Sequence, residues 1–424
     1  MTSNHSAKNS EISPNSPNPK NVIWLGITSL FTDISSEMIF PVLPIFLKTV
    51  LGAPFWAIGF IEGIAESLSS FLKYFAGKFS DLTQKRKNLT VLGYGLSTLS
   101  KILFALALSW PMVLFSRVLD RFGKGIRTSP RDALINESVD PKDRGKFFGL
   151  HRTLDTIGAF LGTLITTLLL YFLNPNQKPE LIEKNIRLIL SLAFLPAFIG
   201  LLILIFFVKE KKKERKANSQ FVIFQYQGFS KRFYLALLIL GIFSLGNLSF
   251  AFLILKTQKL GFSLFLIPLL YLLYNFFYAF TAYPAGKLSD KIGRVKILNI
   301  GILALALVFA GFAVFQQKFL FVFLFILYGV GIGLTDSVSK AFVADLSQKE
   351  KTGESFGLFY LVTGLTALFG NLMGGFLSDK INLEFAFALA AFLVALSGFL
   401  MAVVFKTHQS LPQNYGPENF KGYR

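Results

Sequence analysis

The sequence predicts an all-α polytopic membrane protein whose twelve transmembrane helices form two pseudo-symmetric six-helix bundles. Three observations carry this. Hydrophobic residues make up 53% of the 424, Phe alone contributes 49, and the mean hydropathy is +0.54, more apolar surface than a soluble chain can hide in one core. Twelve apolar stretches, each near the roughly 20 residues a bilayer span needs, begin close to residues 22, 56, 89, 111, 146, 186, 232, 262, 295, 318, 353 and 383. A short motif is also written twice. Gly77-Lys-Phe-Ser-Asp81, followed by Lys85-Arg86-Lys87, returns 209 residues later as Gly286-Lys-Leu-Ser-Asp290, followed by Gly293-Arg294-Val-Lys296.

The repeat extends beyond that motif. Leu47-Lys48-Thr49 recurs as Leu255-Lys256-Thr257, and Gly145 with Phe148-Gly149 recurs as Gly353 with Phe356-Gly357, all at a spacing of 208. One residue has therefore been inserted between helices 7 and 9. No period of 20 to 50 residues is present, which excludes a solenoid. Residues 1–20, rich in Ser, Asn and Pro, read as a disordered tail, and no small-residue cleavage pattern follows the first helix to make it a signal peptide. Residues 21–208 hold the first bundle. Residues 209–230 form a charged linker, with an interfacial helix expected over Phe221–Tyr226. Residues 231–406 hold the second bundle, and 407–424 a second tail.

Lys and Arg collect in the loops after helices 2, 4, 6, 8 and 10: Lys85 to Lys87, Lys142 to Lys146, Lys209 to Lys216, Lys287 to Lys296, and Lys349 with Lys351. The positive-inside rule places these loops and both termini in the cytoplasm of a multi-pass inner-membrane protein. Lys178, Lys184, Lys256 and Lys259 in the outward loops run against the bias. The net charge of +19 sits in juxtamembrane loops, where topology and anionic lipid explain it better than nucleic acid does. Zero cysteines exclude disulfides, thiolate metal sites and cysteine nucleophiles, and three histidines, two of them in the tails, leave no metal cluster. No Gly-x-x-x-x-Gly-Lys-Ser/Thr loop indicates ATP-driven work. The chain is not expected to be an enzyme, to bind a cofactor or metal, or to need an obligate protein partner; a monomer is expected.

Ionisable residues inside the spans are the candidate functional residues, because each is expensive in hydrocarbon and normally lines a polar interior. Helix 4 carries Arg117, Asp120, Arg121, Lys124, Arg127 and Arg131 at steps of three and four, one stripe of a helix. Helix 1 carries Asp33 and Glu37, helix 2 Glu62 and Glu66, and helix 5 His151, Arg152 and Asp155. At about 1.5 Å per residue, Asp33, Glu66, Arg121 and Asp155 come out roughly 14 to 17 Å deep, near the middle of a ~30 Å hydrocarbon layer. A partly hydrated ion-pair network lining a cavity is the arrangement expected; a purely structural role as bundle glue is the alternative. Lys73 reads as snorkelling and Lys101 as ion-paired. The second half offers hydrogen-bonding groups and rings instead: Asn247, Tyr271, Tyr274, Asn275, Tyr283, Thr363, Thr366 and Asn371, with Asp336 and Lys340 near the cytoplasmic end of helix 10.

These features resemble the major facilitator superfamily over residues 20 to 406. Its motif between helices 2 and 3 is matched by Gly77, Asp81, Lys85 and Arg86, departing at Leu82 and Gln84, and more closely in the second copy by Gly286, Asp290, Lys291, Gly293 and Arg294. The resemblance implies two bundles, a central cavity and alternating access, with the Asp81 and Asp290 loops gating the cytoplasmic side. Arg117-Val-Leu-Asp120-Arg121-Phe-Gly123 is similar to the helix 4 motif of the superfamily's proton-coupled exporters; a second register over Arg121 to Gly125 leaves both Arg117 and Arg121 as bearers of the coupling role. The stretches Phe31 to Pro41 and Asp120 to Asp132 resemble a prokaryotic branch of permeases with largely unassigned substrates.

The expected function is secondary active transport of a small organic solute, driven by a proton gradient and directed outward, with an anionic or zwitterionic solute preferred. Asp33, Glu37, Glu62, Glu66, Arg117, Asp120, Arg121, Lys124, Arg152 and Asp155 are the candidate proton-coupling and cavity residues. A lipid flippase or scramblase, or an exporter of lipophilic cations, is the alternative on the same fold.

Overall fold

A computed structural model describes residues 18–83, 85–140, 143–174, 178–210, 228–347 and 352–405. The expected tails and most of the linker, with its interfacial helix, lie outside these residues.

Twelve helical runs are present among the described residues, and no strand. In the first half they are α1 (Lys20–Val50), α2 (Phe55–Thr83), α3 (Arg86–Ala105), α4 (Trp110–Glu137), α5 (Arg144–Leu173) and α6 (Glu180–Phe207). In the second they are α7 (Lys231–Lys259), α8 (Leu266–Ile292), α9 (Arg294–Val314), α10 (Lys318–Leu346), α11 (Thr352–Lys380) and α12 (Leu383–Val404). Nine are long and apolar enough to cross a membrane on length and composition alone; the other three are α2, α3 and α4, which carry many of the first half's charges. Helices are what hydrocarbon allows, since each must satisfy its backbone groups internally.

Besides the single turn residue Ala193 within α6, two spans, α1 and α7, are interrupted over three residues near their middles. α1 stops being helical at Phe40–Val42, where Pro41 removes a backbone donor, and resumes at Leu43–Ile45, which runs into a π turn over Phe46–Val50. α7 stops at Asn247–Ser249; the Ser249 hydroxyl then accepts from the Ala251 amide at 3.3 Å to cap the second segment. The interruptions coincide, within one residue, under the 208-residue offset.

Packing repeats with the same symmetry. In the first half α1 packs on α5 and α6, α4 on α2 and α3, and α3 on α6; in the second α7 packs on α11 and α12, α10 on α8 and α9, and α9 on α12. Between halves, α2 lies along α11 as an extensive seam, and α5 meets α8 through a narrower one.

The loops after the even-numbered spans define one side, here called the basic side, with the far side opposite. On the far side one continuous apolar core joins both halves, from Met38, Phe46 and Ile58 through Phe252, Phe309 and Phe387. On the basic side each half keeps its own core, around Tyr94, Leu134 and Leu204 in the first and Phe233, Val338 and Met401 in the second. The halves are sealed together on the far side and parted on the basic side.

Candidate functional site: a charged cavity between the halves

The parting leaves a cavity of about 400 Å³ bounded by α1, α2, α4, α7, α10 and α11. Its first-half wall carries Glu62, Glu66, Arg117 and Arg121; its second-half wall carries Asn247, Ser249, Thr363 and Asn371, with Asp336 and Lys340 also lining it. Phe40, Phe250 and Tyr328 add rings to the lining. The interrupted helices α1 and α7 therefore contribute Phe40 and Asn247 to Phe250 at their breaks, as befits irregular backbone that lines a cavity. At the α7 break the Ser249 amide donates to Asn371 Oδ1 at 2.6 Å, so α11 satisfies a backbone group the break has freed.

Two buried ion pairs organise the charges. Arg117 Nη2 meets both Glu62 oxygens at 3.2 and 3.3 Å, and its guanidinium lies 5.4 Å from the Phe40 ring centroid. Lys101 Nζ meets Asp120 Oδ1 at 3.0 Å and Ser36 Oγ at 3.2 Å, while Arg121 Nε stands 3.5 Å from the other Asp120 oxygen. Two carboxylates of the first half also reach the second. Tyr271 Oη donates to Glu37 at 2.7 Å, and Ser249 Oγ lies 3.4 Å from Glu62. Glu62 thereby joins the cavity's charge state to the contact between halves, and Glu37 places a second carboxylate at the seam itself.

The structure sorts the sequence candidates into groups. Glu62, Glu66, Arg117 and Arg121 line the cavity; Asp120 and Lys101 support Arg121 from behind; Glu37 sits at the seam with Tyr271. Asp33 and Asp155 interact electrostatically with one another and with Lys124 and His151 in a cluster between α1, α4 and α5. Asp155 meets His151 at 3.6 Å, and Lys124 and Arg152 are exposed. The single level of charge expected from counting depth thus becomes a cavity face and a separate cluster. On the cavity lining, carboxylates Glu62, Glu66 and Asp336 equal the bases Arg117, Arg121 and Lys340, whereas the α4 stripe alone is predominantly basic.

Sequence reasoning missed the partners more than the charges. The 2.7 Å pair between fully buried Lys256 and Glu384 on the far side went unread, although a lysine repeated at Lys48 and Lys256 was a signal. At the gating motif, Lys85 is exposed, and Gly77 and Asp81 fall within α2 with only their backbone described. Arg86 pairs with Glu137 at 2.7 Å, and Arg294 with Asp290 at 2.8 Å and Asp345 at 2.5 Å. Glu137 and Asp345 are 208 apart, as are Arg86 and Arg294, so the acid was legible in the repeat. Gly293 takes φ +101°, the turn only a glycine makes easily between α8 and α9, while Gly286 lies inside α8.

Twelve helices in two related halves around a charged cavity define a multi-pass membrane transporter. The Major Facilitator Superfamily model matches residues 25–273 and again 234–421. The uncharacterized MFS-type transporter MJ1317 of Methanocaldococcus jannaschii is 39% identical over 391 residues, 91% of this chain and 95% of that one. The multidrug resistance protein MdtH of Blochmanniella pennsylvanica is 28% identical over 149 residues, 35% of this chain and 36% of its own. Among solved structures, a variant of the nucleoside transporter NupG superposes with a TM-score of 0.76 over 91% of this chain and 100% of that chain at 13% identity, a likeness of fold alone. The chain belongs to the major facilitator superfamily.

Proposed function

We propose that this chain is a proton-driven secondary transporter that exports a small zwitterionic or anionic organic solute by alternating access. The observation that carries the reading is the charged cavity face: Glu62 and Arg117 neutralise each other, as do Asp336 and Lys340, which leaves exposed Glu66 and the half-buried Arg121, backed by Asp120, as the opposite charges open to a solute. A guanidinium fork suits a carboxylate or phosphate, and Glu66 suits an ammonium. The balanced lining supports a zwitterion ahead of a simple anion.

The contacts between halves supply a coupling mechanism. With Glu37 ionised, Tyr271 donates to it across the seam; with a proton on Glu37, the carboxyl becomes a donor and that contact weakens. The same holds for Glu62 against Arg117 and Ser249. Protonation then loosens the far-side seal and solute binding reinforces it, which is differential affinity for two states. Asp33, Asp155 and the two motif copies, with Asp81, Lys85 and Gly286 among them, belong to this reading as a second charge cluster and as the gating loops. The Lys and Arg bias supports a cytoplasmic basic side in an inner membrane.

The test is thermal stability of the purified protein against zwitterionic, anionic and cationic solutes at pH 6 and pH 8, followed by flux into proteoliposomes under an imposed pH gradient. A solute that stabilises the parent and not Arg121→Ala, and that moves only with the gradient, establishes the reading. Stabilisation by lipophilic cations alone, with Arg117 and Arg121 dispensable, overturns it. That outcome would favour the multidrug alternative, for which the partial likeness to MdtH is the specific support.

A further inference from the structure

A second hollow shares part of the cavity's wall. Tyr360 and Gly364 of α11, which line the cavity, also line an almost wholly apolar groove of about 300 Å³ formed with Leu68, Leu361 and Leu365 on the flank of α2 and α11. Phe71 and Leu365 at this groove are each 45% exposed, so it faces the bilayer.

The reason the groove exists is local. Toward the far side the two helices are zipped by small residues: a Cβ on Gly59 would lie 2.0 Å from the Asn371 carbonyl oxygen, and one on Gly63 2.8 Å from Leu368 Cα. The zip ends where Ser67 Oγ donates to the Gly364 carbonyl at 2.5 Å. One turn further toward the basic side stand Phe71 and Tyr360, whose bulk holds the helices apart. The opening therefore lies in the basic-side half of the membrane and abuts the charged cavity, with Gly364 presenting no side chain at the junction.

We propose that the solute is a single-chain amphiphile that loads sideways from the bilayer, its charged end between Glu66 and Arg121 and its apolar tail passing Tyr360 and Gly364 into the α2–α11 groove. This rests on the cavity being the solute site. The shared wall at Tyr360 and Gly364 decides the occupant: a polar solute gains nothing from an apolar groove, and a bulk lipid gains nothing from the charged cavity beside it, whereas a molecule with one charged end and one tail fits both. Tyr360 is the large group at the junction, its ring 5.2 Å from that of Phe359.

The experiment uses the full-length protein in nanodiscs and three photoactivatable probes sharing one saturated alkyl chain, with a diazirine at the chain end and a zwitterionic, anionic or cationic head. Labelled peptides are mapped by mass spectrometry. The expected result is labelling at Leu68, Leu361 or Leu365 by at least one probe. Its soluble headgroup alone, at about ten times its half-saturating concentration, reduces that labelling about tenfold by mass action. Leu365→Trp, and independently Leu68→Trp from the opposite helix, should fill the groove and remove the label. Labelling that neither the headgroup nor Arg121→Ala reduces means ordinary lipid occupies the groove and overturns the proposal, as does absence of groove labelling by all three probes. If headgroup compounds still raise thermal stability in that case, the cavity reading stands and sideways loading alone fails; if none does, both fall.

Discussion

Lys101 has 1% of its surface exposed, and Asp120 meets its Nζ at 3.0 Å inside the helix bundle. Removing one partner of such a pair costs about 3–5 kcal/mol because the other is left buried and uncompensated. Lys101→Ala should therefore lower the thermal midpoint sharply, and the near-isosteric Lys101→Met with Asp120→Asn should recover part of the loss, the remainder reflecting Arg121, which stands 3.5 Å from the same carboxylate; a double variant less stable than the sum of the two single ones would refute the pairing. Lys256 makes the contrasting case. Its partner Glu384 keeps Lys259 at 3.0 Å and is 24% exposed, so the near-isosteric Lys256→Met should cost no more than about 1.5 kcal/mol. The sequence made the charges legible through the cost of placing them in hydrocarbon, but not their partners. Which helix faces Lys101 depends on rotation about its axis, and the choice of Asp120 over Glu62 or Glu66 is a packing outcome that hydropathy does not encode. Tyr271 shows the same limit: its hydrogen bond to Glu37 separates it from a packing tyrosine only once α1 and α8 are side by side.

At the scale of helices, glycine has opposite meanings in two places. Gly59 and Gly63 on α2 and Gly375 on α11 allow backbones to touch, since a Cβ on Gly375 would lie 2.4 Å from the Phe55 carbonyl oxygen. Gly59→Leu should therefore push α2 from α11 and abolish solute-dependent stabilisation along with stability itself. Gly95 on α3 has nothing within 4 Å of such a Cβ, so Gly95→Ala should stabilise by about 0.5–1 kcal/mol through helix propensity. Equal effects in a denaturation series would remove the distinction. The twelve span starts were legible within about six residues, because apolar length is a strong signal; α6 deviates furthest, beginning at Glu180 with a polar first turn that hydropathy discounts. The α1 break had a signal in Pro41. The α7 break had weaker ones, the repeat of the α1 break and a capping serine at Ser249; the Asn371 side chain that accepts from the Ser249 amide was not legible.

At the scale of the molecule, the repeat divides the structure into parts that move and parts that hold. Arg86 with Glu137 and Arg294 with Asp345 tie α3 to α4 and α9 to α10, each inside its own half. Such pairs stiffen the halves without joining them. Joining is done on the far side, unequally: Asp379 of α11 accepts from the Phe55 and Trp56 amides of α2 at 3.0 and 2.8 Å, while the α5–α8 side has the ring contact of Tyr171 and Phe265 at 5.2 Å. A carboxylate on a helix N-terminus is favourable and directional, so Asp379 biases the protein toward the state open on the basic side. Hydrogen bonds to a charged group are worth about 1.5–3 kcal/mol when buried; at this exposed site about 1 kcal/mol is a fair allowance, a roughly fivefold change in a two-state ratio. The absence of cysteine makes this measurable, because Thr363→Cys places a single thiol in the cavity. Adding Asp379→Ala should slow modification of that thiol from the basic side and speed it from the far side. Unchanged rates on both sides would mean that the cap stabilises both states equally, and a contact with no preference between two states cannot gate the exchange between them.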